Sequence, residues 1–157
     1  MDRKQKRLGQ ILLEKGLITA RQLELALDEQ KKNREFLGKI LIEDRLIEEK
    51  GLLEALSEQF SLPLASLKDK YLDWTLIRQF SPSLILDHRC FPLSRDEESV
   101  TIAINNPLDA WALEKAEREA SGLGLRLKLV LASSDDIGEA VRRYQEYTRG
   151  SISKLLE

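Results

Sequence analysis

One pattern, written twice, limits what this chain can fold into. Residues 7–30 read RLGQILLEKGLITARQLELALDEQ and residues 36–59 read FLGKILIEDRLIEEKGLLEALSEQ, offset by 29 positions. Leu8/Leu37, Gly9/Gly38, Leu12/Leu41, Ile18/Ile47, Leu23/Leu52, Leu27/Leu56 and Gln30/Gln59 recur at identical spacing. Ile11/Ile40, Glu14/Glu43, Leu17/Leu46, Ala26/Ala55 and Glu29/Glu58 match as well, so 12 of the 24 positions are identical. Self-similarity at a fixed period marks tandem copies of one supersecondary unit.

Each copy reads as a helical hairpin. Leu8, Ile11 and Leu12 share one face of a first helix, and Leu23, Ala26, Leu27 and Gln30 share one face of a second. Gly16 and Leu17-Ile18 interrupt the first pattern. Thr19 then stands as an N-cap with Gln22 three residues on, the spacing of a capping box. The second copy turns at Asp44-Arg45 and restarts after Ile47, with Glu48 and Glu49 placed to suit a helix dipole. Core packing accounts for the leucines. It does not call for Gly9 and Gly38, each costing about 1 kcal/mol relative to Ala inside a helix, nor for glutamines ending each apolar stripe. Glycine serves where a neighbour must approach the backbone closely, and that neighbour is either a ligand or a second helix.

The doubled LGxxLxxxxxIxxxxLxxxLxxQ, opened by Arg7, resembles the MshE N-terminal (MshEN) domain at the front of type II secretion and type IV pilus assembly ATPases. The resemblance implies that the paired motifs bind cyclic di-GMP, a ligand with two guanines and two phosphodiester charges. A bidentate Arg matches the O6 and N7 acceptors of guanine, and Arg7 is the candidate for that role. Gln30 and Gln59 can donate and accept at a base edge or phosphate. Backbone N–H groups near Gly9 and Gly38 suit phosphate oxygens if they lie in a helix's first turn. Leu8, Leu12, Leu23 and Leu27, with Leu37, Leu41, Leu52 and Leu56 in the second copy, supply apolar surface for the purine faces. Phe36 occupies the position matching Arg7 and can stack on a base without forking onto it; Arg34, two residues earlier, is the compensating cation.

The chain has 157 residues, a formal net charge of −2, 33% charged and 42% hydrophobic residues, enough for one domain or two small ones. That charge balance gives no broad basic field and argues against DNA or RNA as a partner. Cys90 is alone, so there is no disulfide framework. No apolar run reaches the roughly 18 residues of a spanning helix, and no signal-like apolar core follows MDRKQK. The expected location is the cytoplasm, peripheral to the inner membrane through partners.

Beyond Gln59 the period changes. Pro63 stops the helical pattern, placing a boundary at Leu62-Pro63. Asp73–Phe80 reads as a short helix carrying Trp74, Leu76 and Ile77. Ser81-Pro82 opens another, running to about His88. Residues 89–94 and 99–104 read as strands, with Pro92 pointing to an edge. A helix with Trp111, Leu113 and Ala116 on its apolar side follows, then a strand alternating Leu125, Leu127, Leu129 and Leu131. Ser133–Asp136 caps a last helix bearing Ile137, Ala140, Val141 and Tyr144. The fold class is therefore α+β, with four helices in tandem hairpins (1–62), a subdomain with a short, about three-stranded sheet (63–148), and a tail or linker (149–157).

No GxxxxGK[ST] occurs, no nucleophile or base is organised around Glu97-Glu98 or Asp135-Asp136, and His88 is the sole histidine. An enzyme, a metal site and a resident cofactor are all unexpected. Two functions fit: a cyclic di-GMP-binding regulatory domain for an ATPase motor in cis or trans, and a module docking such an ATPase to its inner-membrane platform protein without nucleotide.

Overall fold

The computed structural model describes residues 3–156. The chain forms two compact units, Met1–Leu64 and Ala65–Glu157.

The first unit is α1 (Arg3–Glu14), α2 (Ala20–Asn33), α3 (Leu37–Glu43) and α4 (Glu49–Phe60). The sequence repeat is also a backbone repeat. Leu17 N–H donates to Leu12 O at 3.0 Å, and 29 residues on Leu46 N–H donates to Leu41 O at 2.9 Å. These bonds cap the last turns of α1 and α3, and both turns pass through a left-handed residue: Gly16 at φ 71° and Arg45 at φ 60°. Thr19 caps α2 with the reciprocal capping box that its spacing with Gln22 announces. Glu48 sits at the matching position before α4 and makes no side-chain cap bond.

Within this unit α1 packs chiefly on α4 and α2 on α3. Each hairpin thus buries its helices against those of the other copy, and neither has a core alone. Leu8, Leu12, Leu37 and Leu41 are all 0% exposed at its centre.

The second unit carries α5 (Trp74–Ile77), α6 (Pro82–Leu86), β1 (Phe91–Arg95), β2 (Ser99–Ile104), α7 (Ala110–Gly122), β3 (Arg126–Leu131) and α8 (Ser134–Leu156). The sheet order is β1-β2-β3, antiparallel between the first pair and parallel between the second, with α7 making the crossover. Pro92 cannot donate to a ladder, and the register slips between Pro92 and Ser94 on the edge strand β1. Asp73 and Ser81 cap α5 and α6. Glu119 of α7 accepts from both N–H and Oγ of Ser81 at 2.7 Å. Partial burial opposes charge on Glu119, but these bonds and Lys115 hold its carboxyl below the usual range.

Two features depart from the sequence reading. Trp111 is 80% exposed and does not belong to the apolar side of α7. The buried stripe is Ala112, Ala116 and Ala120, spaced by four, and Trp111 lies about 100° around the helix from Ala112. The final helix also continues through 149–156, the segment expected to be a tail. Arg142 pairs with both Glu139 and Glu146 along α8, and Gly150 lowers helix propensity without ending the helix.

Candidate functional site

All fourteen candidate ligand residues fall in the helical unit, but not on one surface. Leu8, Leu12, Leu37, Leu41 and Leu56 are buried, as are Gly9 and Gly38. These leucines are the core of the helical unit. Leu23, Leu27, Leu52 and Gln59 are half-buried, and only Arg7 and Arg34 are exposed. The accessible apolar surface of the motif is therefore Leu23, Leu27 and Leu52.

The two glycines have the same neighbour in each copy. A Cβ on Gly9 would lie 2.8 Å from Leu23 Cδ1, and one on Gly38 would lie 2.9 Å from both Leu52 Cδ atoms. Here the glycines let the paired helix of their own hairpin come close. Gly38 lies in the first turn of α3, where N–H groups lack helical acceptors. Gly9 lies in the second turn of α1, within the helical ladder.

Both glutamines reach across the repeats. Gln30 Nε2 donates to Glu35 O at 3.0 Å, just before α3 begins. Gln59 Nε2 donates to Lys4 O at 2.8 Å, in the first turn of α1. Lys4 Nζ also lies 6.0 Å above the Phe60 ring. Gln59 Oε1 is buried and accepts no hydrogen bond. Arg34 closes α2 in a left-handed conformation, φ 56°, its N–H donating to Gln30 O.

One further exchange was not anticipated. Lys15 Nζ of the first turn meets Glu58 Oε2 at 2.9 Å. The equivalent residues are Asp44 and Glu29, two carboxylates, and a hydrogen bond with Asp44 pushes Glu29's pKa up. Residues 15 and 44 stand opposite 58 and 29, the reciprocal pattern of a two-fold relation between the copies. In the sequence only the 29-residue offset of Glu29 and Glu58 signals this pairing, and it does not show which residues stand opposite.

Elsewhere, a groove of about 690 Å³ runs along the turn side of the helical unit past Leu17, Ile42, Arg45, Leu46, Lys50 and Gly51. It contains none of the doubled motif's ligand candidates. A second, about 630 Å³, separates Lys68–Lys70 from α8 in the other unit. Across it Arg143 donates to Lys70 O and Leu67 N–H donates to Asp136, so these two charged side chains hold the 67–70 segment to α8. Burial pushes the Cys90 thiol up to about 12, far from a reactive thiolate. No group of three or more metal-ligating side chains occurs among the described residues.

The family model of the MshEN domain matches residues 60–151, more than half the chain. The chain belongs to the MshEN family. That match covers most of the α+β unit, whereas the doubled motif, residues 7–59, lies wholly before it. The type IV pilus assembly ATPase PilB of Myxococcus xanthus is 31% identical over 150 residues, 96% of this chain. PilB of Thermus thermophilus is 29% identical over 114 residues. The chain spans only 26% and 13% of these two relatives' lengths. Among solved structures, MshE with cdg (cyclic di-GMP) aligns over 88% of this chain and 98% of its own, with TM-score 0.79 and 28% identity. The N-terminal domain of XpsE aligns with TM-score 0.70 at 18% identity, covering 91% and 96%, a likeness of fold. This MshEN fold is helix-rich with a small three-stranded mixed sheet, and among the described residues no helix is long and apolar enough to cross a membrane.

Proposed function

We propose that this MshEN domain binds cyclic di-GMP through its doubled helical unit and regulates a pilus or secretion assembly ATPase motor, joined in cis or acting in trans. The observation that carries the reading is the likeness to MshE with cyclic di-GMP, which extends over nearly all of that chain and most of this one. The reciprocal arrangement of the two copies supports it, because a ligand made of two equal halves suits a unit made of two equivalent halves. Arg7, exposed on α1, forks onto a guanine edge. Arg34 supplies a cation near the second copy, where Phe36 replaces the arginine. First-turn N–H groups at Gly38 face a phosphate, and Leu23, Leu27 and Leu52 contact the bases. The domain itself binds and does not hydrolyse.

Titrating the chain with cyclic di-GMP at physiological salt tests this. The expected outcome is one ligand per chain. No heat and no competition at roughly 100 μM ligand, an affinity near −5.5 kcal/mol, would exclude the sensor reading.

A further inference from the structure

We propose that Gln30 and Gln59 are positioning residues, each holding the start of the other copy's leading helix, so that the two halves of the ligand site are set by each other. The proposal rests on the cyclic di-GMP reading for its consequence, but its geometry is independent of any ligand. The two glutamines are equivalent by the 29-residue offset, and each donates Nε2 to a carbonyl near the other copy's leading helix, before α3 in one case and inside the first turn of α1 in the other. Gln30, at the end of α2 and 7% exposed, donates Nε2 to the carbonyl of Glu35, two residues ahead of Leu37 and three ahead of Gly38. Gln59, near the end of α4, donates Nε2 to the carbonyl of Lys4, three residues ahead of Arg7. Arg7 therefore stands one turn beyond the point that Gln59 fixes, on the same side of α1 as Lys4.

The two bonds close a ring of dependence. The end of the first copy fixes the start of the second, and the end of the second fixes the start of the first. An apolar side chain of similar length would fill the same space and hold neither carbonyl. Each amide spends an Nε2 donor on a backbone carbonyl of the other copy, which orders that carbonyl whether or not a ligand is bound. The glutamines thus act through Arg7 and the α3 start.

The test uses Gln59→Met, with Gln59→Glu as a second variant that keeps the shape and loses the donor. In the ligand-free protein, amide exchange at Arg7 and Leu8 should quicken by about 2- to 12-fold, the worth of one ordinary hydrogen bond, while exchange in α7 stays as in wild type. Binding of cyclic di-GMP should weaken severalfold. Combined with Arg7→Ala, Gln59→Met should add little further loss, because both act through one contact. Gln30→Met should instead add its full loss to that of Arg7→Ala. Unchanged exchange at Arg7 and Leu8 in both Gln59 variants overturns the proposal. So does a loss for Gln59→Met that is fully additive with Arg7→Ala, since that places Gln59 on the ligand itself. If wild type binds no cyclic di-GMP, the ligand reading fails while the exchange measurement still decides whether Gln59 holds α1.

Discussion

Lys15 meets Glu58 in one half of the helical unit, and in the other half the equivalent positions hold Asp44 and Glu29. Thr19 closes a capping box at the head of α2, and Glu48, its counterpart, caps nothing. Gly16 takes the left-handed turn residue at no steric penalty, and Arg45 takes it with a side chain. Yet the turns bond in the same way, the glycines face equivalent leucines, and each glutamine donates to a backbone carbonyl near the start of the other copy. The difference teaches which parts of the copy are fixed by packing and which drift. The buried leucines Leu8/Leu37 and Leu12/Leu41 stay matched, while the caps Thr19/Glu48, the turn residues Gly16/Arg45 and the charges Lys15/Asp44 diverge without changing the turn bonds.

The strongest way to break that comparison is to truncate equivalent core residues. Leu12→Ala and Leu41→Ala, both at 0% exposure, should each cost about 2–5 kcal/mol. Denaturant unfolding that shows one of them near neutral would mean the halves are not equivalent in packing. A smaller contrast comes from the caps. Thr19→Ala should cost about 1 kcal/mol, and Glu48→Ala less than about 0.5 kcal/mol; equal losses in thermal melts would deny the difference seen at the helix starts.

The smallest effect should lie in the crossed charges. Glu29 binds its proton more tightly in the folded protein than in the unfolded chain. Its contribution to stability is therefore present below the ordinary carboxylate range and is lost as pH rises through its raised value. Asp44→Lys recreates the Lys15–Glu58 arrangement on the other side, and should raise the melting temperature slightly at neutral pH with the advantage shrinking in acid. A melting temperature that falls at neutral pH would show that Asp44 and Glu29 do not face each other.

Much of this was written in the sequence at the level of pattern. The 29-residue offset announced two hairpins, the Thr19–Gln22 spacing announced the capping box, and β-branched residues marked β2 at its observed limits. Pro92 pointed to an edge strand, and the slip after it follows from its missing N–H. Other features depended on what no local pattern contains. Trp111 had the chemistry of a core residue, but the helix phase set by three small alanines turned it outward. Continuation of α8 past Arg149 was not marked by any capping or breaking residue, since Gly150 stands inside the helix. For the candidate site, the repeat picks out residues and does not give their depth. Leu8 and Leu12 differ from Leu23 and Leu27 only in how far the opposite copy covers them. The backbone partners of Gln30 and Gln59 likewise exist only once the two copies are docked.

The central claim is that the doubled unit is a ligand site laid over a helical core, and Arg7 separates the two. It is exposed, so Arg7→Ala should change unfolding stability by no more than about 0.5 kcal/mol. Measured by calorimetry on the same preparation, its affinity for cyclic di-GMP should fall by about 1–3 kcal/mol, roughly five- to a hundredfold. An Arg7→Ala protein that binds the ligand as wild type does would contradict the account and leave Arg7 a solvated charge on α1.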